Sequence, residues 1–388
     1  MNTPPFPYNF EMGEISPDDL KRFIVHCSRN NVSDISIQGN DYIWVEQHGR
    51  QIQASKVKLA DSTLKELIGQ VWGADIPPIV VSGDDLDRDL SITGDKYDLE
   101  RNKTIRLRSN FIQANVGKNL TISITNRIIP SENPTLEKYP IEEEFKTELF
   151  PRDGIIVFGG PTGSGKTTSL TACYMYIGTN YPDRKVVTYE QPIEFFLGGP
   201  DWIGLKPAQS EIGRDIASFS DGIRNAMRRA PKVIGVGEAR DHQTYSAAIE
   251  AGKSGHLVYF TIHIDKVGEL FSRITQAFPV EQQASIAFDL LSKIRVVMVQ
   301  NLFKSTDGKR VLVREGLVFT QEIKNELELL HHSKWSRWVE DYMNKNKCSI
   351  IDKLWKLYLE GTVSKEEFVS KASYHEFQKR SDIEVTNV

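Results

Sequence analysis

Gly160-Pro161-Thr162-Gly163-Ser164-Gly165-Lys166-Thr167 is the stretch on which the reading of this chain turns. It has the form of a phosphate-binding loop. Glycines let backbone N–H groups converge on the α- and β-phosphates of a nucleotide, Lys166 reaches the β/γ oxygens, and the Thr167 hydroxyl is placed to ligate Mg2+. The flanks agree with this. Gly154-Ile155-Ile156-Val157-Phe158 is a short apolar run, as a buried parallel strand requires. Thr168 to Tyr176 contains no Pro or Gly, so a helix can begin under the phosphates and aim its positive end at them.

Outward from the loop, Val186 to Tyr189, Val233 to Val236 and Leu257 to Thr261 are further apolar strand candidates separated by helical stretches. That alternation predicts an α/β nucleotide-binding core. Val233-Ile234-Gly235-Val236-Gly237-Glu238 is an apolar strand ending in an acid, which places Glu238 to hold the hydration shell of Mg2+. Thr188-Tyr189-Glu190-Gln191-Pro192-Ile193-Glu194 brings two carboxylates to the carboxyl edge of the sheet, where ligands collect in such folds. Either Glu190 or Glu194 could orient or deprotonate an attacking water. His256 and His263 bracket the strand that follows. Arginines 106, 108, 127, 214, 224, 228 and 240 are candidates for phosphate contacts or for surface ion pairs.

The 388 residues are enough for two or three domains. Residues 1–14 carry Pro4, Pro5 and Pro7 and read as a flexible arm. Ser16-Pro17-Asp18-Asp19 predicts a helix start, followed by Leu20, Phe23, Ile24 and Cys27 at helical spacing. Alternating Ile35/Ile37, Ile105/Leu107 and Leu120/Ile122/Ile124 predict strands, and Leu64, Leu67, Ile68, Val71 and Trp72 form one helical stripe. Residues 15–130 thus read as a small α+β domain. Pro130, Pro134 and Pro140 place a linker at 131–145, ahead of a core at 146–320. Residues 321–388 read as helical, with Gly361 as a stop and a capping box from Ser364 to Glu367.

Forty-eight basic residues against 52 acidic ones leave a net charge of -4, too balanced to suggest electrostatic adhesion to nucleic acid or anionic lipid. Cys27, Cys173 and Cys348 lie far apart without metal-ligand spacing, which fits a reducing compartment and provides no disulfide framework. No run approaches eighteen apolar residues, so membrane contact is expected to go through partners.

Gly160 to Thr167, Tyr189 to Glu194, Val236 to Asp241 and Gly255 to His263 resemble the four boxes of the secretion ATPase superfamily. That superfamily includes type II and type IV secretion motors and the pilus retraction motor (PilT/VirB11-like). Gln209 to Ile212, Phe278-Pro279, Ser33 to Ile35 and Arg106 to Arg108 also sit as in the family. Ala226 to Arg229, Val313 to Phe319 and the helical tail are similar to its type IVB branch, that of DotB of Dot/Icm secretion and TraJ of plasmid conjugation.

The resemblance implies a RecA-like P-loop NTPase core, an N-terminal α+β (PAS-like) domain and a short helical C-terminal tail. It implies ATP and Mg2+ as cofactors, with Gly160 through Thr168 cradling the nucleotide, Thr167 and Glu238 at the metal, and Lys166 on phosphate. Glu194 takes the general-base position, Glu190 supports the metal and water shell, and His263 senses the γ-phosphate. Arg106, Arg108 and Arg127 are implied to come from the N-terminal domain to nucleotide or a neighbouring subunit. It further implies a cytoplasmic homohexamer, peripheral to inner-membrane components of a secretion or conjugation machine, with a type IV pilus retraction motor as the alternative. Gln191, Ala230, Lys232 and Gly213 depart from the retraction motors, and the loss of an acid at 191 implies slow or assembly-dependent turnover. Competing readings are a DNA-directed motor, which would need a basic groove, a small-molecule phosphotransferase, and a nucleotide-binding scaffold.

Overall fold

A computed structural model describes residues 6–10, 15–97, 99, 103–129 and 132–386. The chain divides into two compact units, Met1–Glu132 and Asn133–Val388. The first is built on six strands: β1 (Val32–Gln38), β2 (Trp44–Gln47), β3 (Arg50–Gln53), β4 (Leu86–Thr93), β5 (Thr104–Val116) and β6 (Asn119–Ile129). They form an antiparallel sheet in the order β3-β2-β1-β6-β5-β4. Strand alternation puts Ile35, Ile37, Leu107, Ile122 and Ile124 on one face, where they share a core with Phe23, Ile24, Leu64, Leu67 and Ile68 of two helices. The first of these helices, Pro17–Arg29, opens on a reciprocal capping box between Ser16 and Asp19.

Residues 1–5 and 11–14 of the expected flexible arm lie outside the described residues, as does Pro130. The arm's residues 6–10 pack instead of floating: Phe6 is buried, and the Tyr8 N–H donates to the Ala54 carbonyl at 2.8 Å. Tyr8 and Phe10 also lie against the Phe23 ring. Aromatic burial outweighs the proline-rich composition that suggested disorder.

The second unit holds β7 (Gly154–Gly159), β8 (Val186–Glu190), β9 (Ala208–Glu211), β10 (Val233–Val236), β11 (Leu257–Ile262), β12 (Ile294–Lys304) and β13 (Arg310–Val318). Their order is β13-β12-β7-β11-β10-β8-β9, parallel throughout except for β13. The central strands are buried at every position because helices cover both faces. Ile156, Phe158, Val233 and Tyr259 pack against Leu170, Tyr174 and Ile177 of the helix Lys166–Asn180. Ile155, Val157, Val258 and Phe260 pack on the other side against Ala247, Ala251 and Leu290.

The stretch read as a linker, 131–145, contributes buried Leu136, Ile141 and Phe145 to the second unit's core. Its prolines erase the periodicity that would reveal this, but they do not stop isolated apolar side chains from burying. The helices after residue 320 also join the core. Trp335 is fully buried, with its ring N–H donating to the Leu327 carbonyl at 2.6 Å, and Trp355 packs edge-on against Phe368 and Phe377. The expected capping box at Ser364 is only half formed. Ser364 accepts the Glu367 N–H, while the Glu367 carboxylate turns to the backbone N–H of Lys304 at 2.9 Å. Among the described residues no helix is long and apolar enough to cross a membrane.

Gly235 shows how closely the two halves of the phosphate site are packed. A Cβ there would lie 2.1 Å from the Tyr174 hydroxyl oxygen and 2.9 Å from Thr188 Cγ2, so the helix that follows the loop rests directly on β10. Gly235→Ala is expected to destabilise the protein by about 1–3 kcal/mol through overpacking. Urea unfolding checks it, and a midpoint equal to that of the parent would refute the packing argument.

Candidate nucleotide-binding site

Parallel strands deliver their carboxyl ends to one edge of the sheet. β7 runs into the loop 160–165, β8 ends on Glu190, β10 is followed by Glu238 and β11 by His263. Hydrogen bonds tie these ends together: Gly237 N–H donates to the Tyr189 carbonyl (2.7 Å), Ala239 N–H to the Thr261 carbonyl (2.9 Å), and the Thr261 hydroxyl to the Gly237 carbonyl (2.5 Å).

The loop is shaped by glycines at positive φ, +139° at Gly160, +76° at Gly163 and +84° at Gly165. Gly160 is also hemmed in, since a Cβ would lie 2.3 Å from the Gln300 carbonyl oxygen. Lys166, on the first turn of its helix, is buried and folds back to donate to the carbonyls of Gly160 and Pro161, both at 2.8 Å. Burial pulls its ammonium below the usual lysine range, while Glu238 and Glu194 nearby work to keep it protonated. The Ser164 hydroxyl oxygen is buried without a hydrogen-bond partner. Such a group in a loop of backbone donors fits an anionic ligand. Thr167 and Thr168 occupy the same first turn, half-buried.

The carboxylates differ in kind. Glu238 accepts from Arg240 Nη2 at 2.5 Å and lies 3.0 Å from His263 Nε2. Burial raises its carboxyl, but Arg240, His263 and Lys166 together hold it below the ordinary glutamate range. Glu190 behaves oppositely: burial and the charges of Glu194 and Glu211 push it up, against hydrogen bonds from Thr188 (2.6 Å) and Gln209 (2.9 Å). Glu194 is half-buried and close enough to act electrostatically on both Lys166 and Glu190. The edge therefore pairs one ionised carboxylate with one biased toward its protonated form.

His263 is pulled below the usual histidine range by burial and by Lys166, which favours the neutral ring beside Glu238. His256 is engaged elsewhere, its Nδ1 lying 3.1 Å from the Ala251 carbonyl oxygen. Arg214 pairs with Asp215 and Glu211, and Arg224 with Asp221. Arg106, Arg108 and Arg127 belong to the first unit, on β5 and β6, where they pair with Asp89, Asp87 and Asp34 at 3.8, 2.7 and 2.9 Å.

Three supporting residues carry roles that the sequence does not assign, although Gln209 and Arg314 lie in stretches that resemble the family. Gln209 Nε2 bonds both Glu190 and the Phe195 carbonyl, and its Oε1 accepts the Leu197 N–H, so it pins the acidic loop to β8. Gln300 on β12 donates to the Ser164 carbonyl at 2.8 Å and accepts from the Ser169 hydroxyl at 3.0 Å. Arg314 on β13, only 5 % exposed, reaches Gln300 Oε1 (3.3 Å), Ser169 Oγ (3.2 Å) and the Pro140 carbonyl (2.7 Å). A glutamine and an arginine at interior strand positions were the available signal, because such groups stay buried only when paired.

The family model for "Type II/IV secretion system protein" matches residues 18–326. The type IV pilus retraction ATPase PilT of Pseudomonas aeruginosa is 34% identical over 220 residues, covering 57% of this chain and 62% of that protein. PilU of the same organism is 28% identical over 252 residues, 65% of each chain. The chain thus spans about three-fifths to two-thirds of these curated relatives. Among solved structures, the ATPase DotB of Legionella pneumophila superposes with a TM-score of 0.85 at 32% identity, covering 92% of this chain and 95% of that one. The retraction motor PilT with bound ADP superposes at 0.75 and 24% identity, covering 93% and 99%, which is a likeness of fold.

Removing the Arg314 guanidinium would leave Gln300 and the Pro140 carbonyl without their buried donor. Arg314→Met is expected to cost about 2–4 kcal/mol of stability and to weaken nucleotide binding by loosening the loop. Thermal unfolding with and without ADP checks both effects, and unchanged values would show that the brace is idle.

Proposed function

The chain belongs to the type II/IV secretion system protein family, and from that premise we propose that it is a Mg2+-dependent ATPase working as a cytoplasmic homohexamer. It would couple hydrolysis to conformational work in a type IVB secretion or plasmid conjugation system, peripheral to inner-membrane components. The observation that carries this reading is the convergence on one sheet edge of Lys166, Glu238, Glu190 and His263, ends of four different elements. Likeness to DotB, at 32% identity and a TM-score of 0.85 against 24% and 0.75 for the PilT structure over a similar share of the chain, favours the type IVB branch. The 34% identity to PilT supports the second reading, a pilus retraction-type motor.

In this proposal Gly160 to Thr168 cradle the phosphates, and Lys166 exchanges two loop carbonyls for phosphate oxygens. When bound, Mg2+ would neutralise β/γ oxygen charge, held by Thr167 with Glu238 at its hydration shell. The depressed Glu238 carboxyl suits that role, since it is ionised at neutral pH. Glu194 takes a proton from water as general base, and Glu190, pinned by Gln209, holds the loop that presents it. His263, neutral and 3.0 Å from Glu238, is placed to register whether the terminal phosphoryl is present. Arg106, Arg108 and Arg127 are proposed to meet nucleotide charge or a neighbouring subunit, so that closure follows the triphosphate state. A ring of copies needs a head-to-tail interface that closes by rotation.

Lys166→Ala and Glu238→Ala are each expected to leave folding intact and lower ATP turnover by roughly 10²-fold or more. Turnover should sit in the hexamer-sized fraction of a size-separated preparation. Normal hydrolysis by purified Lys166→Ala would overturn the assignment. A strain carrying the substitution should lose conjugal or effector transfer on the type IVB reading, and twitching motility on the retraction reading.

A further inference from the structure

Residues 263–268 connect β11 to the helix Glu269–Thr275, and they are gripped from opposite sides. At one end His263 faces Glu238, and the next residue, buried Ile264, packs on the last residue of β7: a Cβ on Gly159 would lie 2.6 Å from Ile264 Cγ1. At the other end contacts also run to β13 and to the C-terminal helices. The Val267 N–H donates to Glu315 Oε1 at 2.7 Å, and Glu315 Oε2 accepts the N–H of Ile350 at 2.9 Å. Ile350 is the first residue of the helix Ile350–Leu359. Asp265 lies 3.8 Å from Lys371 Nζ, and Lys266 Nζ 3.8 Å from Glu340. Gly268 touches the helix Trp335–Lys345 so closely that a Cβ would sit 2.7 Å from both Glu340 Cγ and the Ser336 carbonyl oxygen.

Glu315 is 3 % exposed, and its two oxygens are divided between the loop and a C-terminal helix. A buried carboxylate needs its donors, so neither partner can withdraw without disturbing the other. The helix N-terminus adds its own attraction for the negative charge. The short loop, wedged by Ile264 at one end and bonded to Glu315 at the other, leaves the segment between them little slack.

We propose that Glu315 is a positioning residue through which the C-terminal helical region, residues 332–386, sets the seat of His263 against Glu238 and thereby governs the hydrolysis step. The proposal rests on the ATPase reading given above. It makes the C-terminal helices a control point: whatever shifts them changes turnover without touching the phosphate loop.

The test uses the full chain and three measurements: steady-state ATP turnover, ADP affinity by calorimetry, and hydrogen exchange of peptides covering 263–268 and 160–167. Glu315→Gln replaces one acceptor oxygen by a donor facing a backbone N–H, and Gly268→Ala wedges the loop away from the helix Trp335–Lys345. Both should lower kcat roughly 5- to 100-fold with ADP affinity held within about 2-fold, and speed exchange in 263–268 but not in 160–167. Parent-like kcat and exchange in either folded variant would overturn the proposal, as would a parallel loss of ADP binding. If Glu315→Gln does not fold, Gly268→Ala decides alone. A parent protein that turns over no ATP would instead refute the ATPase reading, and faster exchange at 263–268 in the variants would still report the mechanical link.

Discussion

A buried ammonium must be held by something, and in this protein Lys166 is held by the loop that it serves. The carbonyls of Gly160 and Pro161 accept its protons at 2.8 Å, and the charges of Glu238 and Glu194 offset part of the desolvation. Moving an ion of this size out of water costs several kcal/mol even after relaxation, so this arrangement requires its partners in place before nucleotide arrives. That requirement propagates. The loop has to curl tightly enough for its own carbonyls to face inward, which explains the left-handed glycines, and it needs a backing that resists the curl opening.

The backing comes from the hairpin of β12 and β13. Gln300 fastens Ser164 and Ser169, and Arg314 fastens Gln300 to the 133–145 segment through Pro140. The neighbouring residue, Glu315, points to the opposite side of the strand and fastens the loop after His263. One edge strand thus carries two adjacent buried charges of opposite sign, each serving a different part of the site. Isolated, each would be prohibitive. Arg314 is satisfied by neutral acceptors with Glu142 Oε2 3.8 Å away, and Glu315 by two backbone N–H groups, so the two do not neutralise one another and their tasks stay separate.

The phosphate loop, Glu238, Glu190 and the strands that present them were legible because their signals are local: glycine spacing, an apolar run, an acid at its end. The same holds for the Ser16 cap and the amphipathic stripe 64–71. What stayed hidden depends on distant partners. Gln300 and Arg314 sit 136 and 145 residues from the serines that they bond, and nothing near either in the chain announces the pairing. The segment 131–145 was misread for a similar reason, since Leu136, Ile141 and Phe145 bury singly, each against strands far away. Glu367 could have closed a capping box; a tertiary donor, the Lys304 N–H, took its carboxylate instead. Local capping geometry is worth about 1 kcal/mol, which a competing backbone donor readily matches.

The arginines of the first unit pose a different question, because their pattern was legible but their partners were not. Arg108 stands directly across from Arg127, and Arg106 lies two residues along on the same face of β5. Three cations so placed would repel, and Asp34, Asp87 and Asp89 relieve that by pairing with them. An incoming phosphate or carboxylate would therefore have to displace an aspartate instead of filling a vacant charge. Most of these side chains are a third or more open to water, as at Arg127 with 60% and Asp87 with 47% exposure. Ion pairs this exposed are worth about 0–1 kcal/mol each, so exchanging one for a doubly charged phosphate group costs little and gains charge-assisted bonds. The ion pairs thus hold the arginines on one face, Arg108 and Arg127 open to water and Arg106 largely covered, and they offset the cations' repulsion without the ligand for which they are proposed.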